Sequence, residues 1–63
     1  MAIQLQKKYR FRIDVKKTIL NYVGVVTDID EHFITFTDIN GKVLNYNINS
    51  IISYEELEEQ HAN

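Results

Sequence analysis

NYVGVVTDIDEHFITFTDINGKVLNYNINSI, residues 21–51, alternates apolar and polar positions in three runs and interrupts them twice with turn-forming residues. Thr18 to Thr27 reads as a strand rich in β-branched residues, with Gly24 in its middle, where glycine usually marks a bulge or a sharp bend. A strand bent there lets a short sheet curl into a barrel. "DIDEH" supplies turn chemistry, because aspartate tolerates left-handed backbone and caps its own chain. Phe33 to Asp38 is the next strand, with Ile34 and Phe36 on one face. Asn40-Gly41 predicts a two-residue type I′ hairpin turn, since both positions of that turn need positive φ. Lys42 to Ile48 follows with Leu44, Tyr46 and Ile48 inward and Asn45 and Asn47 outward. "NINS" breaks the alternation and "IISY" resumes it as a short last strand.

Working back from that stretch, Tyr9, Phe11, Ile13 and Val15 alternate with Lys8, Arg10, Arg12, Asp14 and Lys16. This is a half-buried first strand with an aqueous face. Residues 1–7 form an arm or strand extension, with a loose arm favoured because chain ends are usually poorly tied down. Residues 8–54 make one small domain. Residues 55–63 form an acidic tail in which "EELEEQ" is helix-prone and Leu57 is its one anchor. Five short strands, tight turns and no proline predict an all-β chain closed as a small barrel.

The order of these parts resembles the SH3-like small barrels, and most of all their Sm-like branch. "YVGVVTDID" is similar to the Sm pattern of an aromatic residue, a glycine, a valine and a following Asp. The similarity runs over residues 9–54 and implies the fold and strand edges suited to ring assembly. It does not carry over a uridine pocket: the turn after Asp30 has no Asn, and no Arg-Gly precedes the last strand.

Sixty-three residues bury only about 60% of the unfolded chain's surface. The chain has no cysteine, so disulfides and cysteine-ligated zinc are excluded. A small core without such staples favours a homo-oligomer. No apolar run approaches the ~20 residues a membrane span needs, and no signal pattern precedes the first strand, so a cytoplasmic protein without a membrane partner is expected. The net charge of −2 is unevenly spread. Lys7, Lys8, Arg10, Arg12, Lys16 and Lys17 face only Asp14 in the first eighteen residues, whereas beyond them Lys42 stands against eight carboxylates.

Catalysis finds little support. Ser50, Ser53 and scattered threonines have no base or orienting group at a recognisable spacing, two glycines cannot make a phosphate loop, and the barrel lacks volume for an ordinary ligand pocket. Asp28, Asp30 and Glu31 share a turn but not the spacing of a calcium loop, and His32 reads as a surface residue. A non-enzymatic binding module without cofactor or metal is therefore expected. Its site on the leading reading is the cationic set Lys8, Arg10, Arg12, Lys16 and Lys17, which would meet RNA or DNA phosphates; the plain alternative is an edge strand protected by charge. The second reading is an adaptor that binds a protein through Tyr54, Glu55, Glu56 and Leu57. The acidic tail is equally placed to dock on the basic stripe of its own chain.

Overall fold

Strand β1 (Lys8–Val15) pairs antiparallel with β2 (Thr18–Ile29), which continues to β3 (Phe33–Asp38) and β4 (Val43–Asn47). One turn of 3₁₀ helix, Ile48–Ser50, then leads into β5 (Ile51–Glu56), which pairs with the free side of β1. The computed structural model describes residues 3–57. Within them the chain is all-β, a single antiparallel sheet of order β4-β3-β2-β1-β5. Hydrogen bonds do not join the two outer strands, β4 and β5. The expected five antiparallel strands are present, but the closure expected of a barrel is not made by their ladder. No helix among these residues is long and apolar enough to cross a membrane.

The core follows from the alternation. Tyr9, Phe11 and Ile13 of β1 are buried together with Val26, Ile34 and Phe36, while every even-numbered residue from Lys8 to Asp14 is exposed. An aromatic series runs through it: Tyr54 meets the edge of Tyr9 at 5.9 Å, Tyr9 meets Phe11 at 5.7 Å, and Phe11 meets Phe36 at 4.9 Å. Tyr22 and Tyr46 extend it, their rings 5.7 Å apart and their hydroxyls hydrogen-bonded at 3.0 Å. Aromatic pairs at these separations contribute beyond their buried area, which helps a core this small.

Four local expectations change. Ile3 is buried in the core, the Gln4 N–H donates to the Tyr9 hydroxyl at 2.8 Å, and the Gln6 N–H donates to the Val26 carbonyl at 2.8 Å. Residues 3–7 are therefore a plug across the end of the core and not a loose arm. Gly24 sits in regular pairing with Tyr9 and Asp38; the register shift in β2 falls between Val26 and Asp28. The glycine is needed because Phe36 and the Thr37 carbonyl crowd the place its Cβ would take.

The Asn40-Gly41 turn is not type I′, since Gly41 has φ +82 and Asn40 is not at positive φ. The Gly41 N–H donates to the Asp38 carbonyl and the Asp38 N–H to the Lys42 carbonyl. This closes a three-residue loop whose third position is left-handed, the type I turn with a glycine bulge. Asp38 selects it by accepting the N–H groups of Asn40 and Lys42 on one carboxylate oxygen, at 2.9 Å each. Finally, β5 runs two residues into the acidic stretch, so Glu55 and Glu56 are strand and not helix. The remainder of the predicted tail, from Glu58 on, lies outside the described residues.

Candidate nucleic-acid interface

The alternation that buries Tyr9, Phe11 and Ile13 sends Lys8, Arg10 and Arg12 to the opposite face of β1. Neighbours in that row are about 6.6 Å apart. Cross-strand register fixes what flanks each cation. Lys8 lies opposite Val25, Arg10 opposite Val23, and Arg12 between Asn21 and Ser53. None of these side chains is aromatic, so no ring stands directly across from the row to stack on a base. The arrangement presents charge over a shallow surface, which suits contact with a phosphate backbone more than base readout.

The cations are not equivalent. Arg10 lies opposite Glu55 of β5, and its Nη1 donates to Glu55 Oε1 at 3.0 Å. Both side chains are more than half exposed, so the pair is hydrated, screened by salt and of little weight in stability. It nevertheless ties a carboxylate to the middle of the row. Among the described residues Lys8, Arg12, Lys16 and Lys17 make no ion pair.

Lys16 and Lys17 form the tip of the β1–β2 hairpin. Val15 pairs with Thr18, leaving a two-residue loop in which Lys16 has φ +50 and Lys17 φ +68. This is the geometry in which type I′ turns favour Asn-Gly, and here it is adopted by two lysines. Left-handed backbone costs a residue with a Cβ roughly 1–2 kcal/mol. Strain of this kind is a recognised mark of functional positions.

The residues of the second reading are partly used by the fold. Tyr54 faces the core side and packs on Tyr9, remaining 39% exposed. Glu55 is held by Arg10, Glu56 lies exposed opposite Tyr9, and the Leu57 N–H donates to the Lys8 carbonyl at 2.9 Å. Of the structural residues, Gly24, Asn40 and Gly41 all lie where packing or turn geometry accounts for them.

Two features escaped the sequence. An open groove of about 860 Å³ crosses the sheet at Gly24 and Val25, between Lys7 and Lys8 on one bank and Asp38 and Ile39 on the other. Gln6, Thr37, Glu56 and Leu57 complete its lining. The second feature is the Lys16-Lys17 turn, whose only signal was the two-residue gap between strand phases at Val15 and Thr18.

The acidic turn is structural. Asp30 Oδ1 accepts the N–H groups of His32 and Phe33, at 2.8 Å each. These bonds hold its carboxyl below the ordinary value of 3.8. No three side chains of the metal-ligating types converge among the described residues. Comparison of the chain with protein-family models, with curated proteins and with solved structures returns no match.

Proposed function

We propose that this protein is a non-enzymatic module that binds RNA or DNA through phosphate contacts from Lys8, Arg10, Arg12, Lys16 and Lys17. The observation that carries the reading is the cationic hairpin: a row of outward side chains on β1 that ends in two lysines held at positive φ, with Glu55 its one paired carboxylate among the described residues. A turn that only reversed the chain would be served better by Asn-Gly. We further propose that the sheet is an SH3-like, Sm-like barrel. The strand order supports this, because it places β4 and β5 at opposite edges and joins them by a single 3₁₀ turn. The adaptor reading, through Tyr54, Glu55, Glu56 and Leu57, is weaker because Tyr54, Glu55 and Leu57 are already engaged within the chain.

Fluorescence anisotropy with labelled single-stranded RNA and duplex DNA, at low and at physiological salt, tests the reading. Affinity should fall steeply with salt, as counterion release requires. Arg12→Ala should weaken binding more than Arg10→Ala, because Arg10 is partly neutralised. Glu55→Gln should strengthen binding by releasing Arg10. No binding at low salt would sink the proposal, and the row would then be read as protection of the strand surface.

A further inference from the structure

The groove at Gly24 and Val25 has two unlike banks. Its floor is a cross-strand row on the cationic face of the sheet: the Leu57 N–H donates to the Lys8 carbonyl, Lys8 lies opposite Val25, and Val25 lies opposite Thr37. Lys7 and Lys8 stand at the β1 side, and Asp38 with the exposed Ile39 at the β3 side. Asp38 accepts both of its turn N–H groups on Oδ1, which leaves Oδ2 to accept from a donor in the groove. A polyanion suits only the lysine bank. An occupant that suits both banks carries negative charge at one end and a hydrogen-bond donor about 14 Å away, three strand spacings across the row.

The chain itself supplies such a segment. Beyond Leu57, which lines the groove, it continues Glu58-Glu59-Gln60-His61-Ala62-Asn63. We propose that this segment crosses the groove, with Glu58 and Glu59 against Lys7 and Lys8 and the His61 imidazole at Asp38. Four extended residues span about 13 Å, so His61 reaches the Asp38 bank from Leu57. The straight path along β1 is closed to it. A longer β5 would need ladder partners before Lys7, but Leu5 and Gln6 form a turn, Gln6 has φ +66, and Ile3 is buried in the core. Neither Lys7 nor Lys8 makes an ion pair among the described residues.

This docking lays two carboxylates over the first cation of the β1 row. Exposed ion pairs of this kind are weak and screened by salt, so the segment is a displaceable competitor and not a permanent cover. Its effect on nucleic acid rests on the function proposed above; the docking itself does not. On that function, a strand that engages Lys8 must first displace the segment, whereas contacts to Lys16 and Lys17 at the far end of the hairpin are made without doing so.

The chain has no cysteine, so Ala62→Cys in the full chain carries a single nitroxide label, and amide line broadening in nuclear magnetic resonance locates it. At low salt the amides of Thr37, Asp38 and Ile39 should broaden strongly. The broadening should be lost at high salt and when Glu58→Gln and Glu59→Gln are added to the labelled chain. Broadening that is absent, or that is unchanged by salt and by the two substitutions, overturns the proposal. Broadening that fades on dilution overturns it too, because the segment of another copy would then fill the groove. Anisotropy with single-stranded RNA and duplex DNA separates the two claims. The Glu58→Gln, Glu59→Gln variant should bind several-fold tighter than the wild type at low salt, and equal affinities would overturn the masking. Absence of nucleic-acid binding by both proteins, with the broadening intact, strikes the proposed function and leaves the docking standing.

Discussion

A methyl group on Gly24 would lie 2.6 Å from the Thr37 carbonyl oxygen and 2.7 Å from Cδ2 of Phe36. Neither can retreat easily, because Thr37 is in the β2–β3 ladder and Phe36 is fully buried against Phe11. Gly24→Ala should therefore destabilise by about 1–3 kcal/mol through overpacking, read from the midpoint of urea unfolding at constant slope. Against a total on the order of 3–9 kcal/mol for a chain of this length, that is a large fraction. At the other end of the aromatic series, the hydrogen bond that the Tyr46 hydroxyl donates to Tyr22 raises it above its ordinary 10.0. A group whose value is raised on folding contributes stability that is whole below 10.0 and disappears as pH climbs through the folded-state value. Tyr22→Phe should bring the Tyr46 ionisation down and move alkaline unfolding to lower pH, followed by the ultraviolet absorbance of tyrosinate.

The β1–β2 hairpin is where element and function pull apart. Replacing Lys16 by Asn and Lys17 by Gly relieves the left-handed strain and should stabilise the fold by about 1 kcal/mol, seen as a higher thermal midpoint. The same comparison explains what could be read from the sequence. Strand β3 was legible to the residue because Ile34 and Phe36 alternate cleanly between two turn clusters. The Asn40-Gly41 turn was visible as a turn, but its type was decided by the Asp38 carboxylate, which favours a three-residue loop. The Lys16-Lys17 turn was hidden because it lacks turn chemistry; it is imposed by the pairing of Val15 with Thr18. The cationic face of β1 was fully legible from period two. The Arg10–Glu55 pair was not, since it depends on how far β5 extends. Nor was the plug formed by Ile3, which shares a phase with β1 but reaches the core by a separate turn.

At the scale of the whole molecule, the long-range charge pattern and the topology meet in one place. The cationic N-terminal third becomes one face of a hairpin, and among the described residues the order β4-β3-β2-β1-β5 gives it one ion-paired carboxylate, Glu55. On the proposed reading, Lys16 and Lys17 retain a strained turn because it holds charge where phosphates bind. The most direct test is the salt dependence of nucleic-acid affinity, measured by anisotropy for the wild type and for the Lys16→Asn, Lys17→Gly variant. Each lost phosphate contact lowers the slope of log affinity against log salt by about 1. If both lysines meet phosphates, the slope falls by roughly 2 in a protein that is more stable than the wild type. An unchanged slope and affinity in that stabilised variant would contradict it.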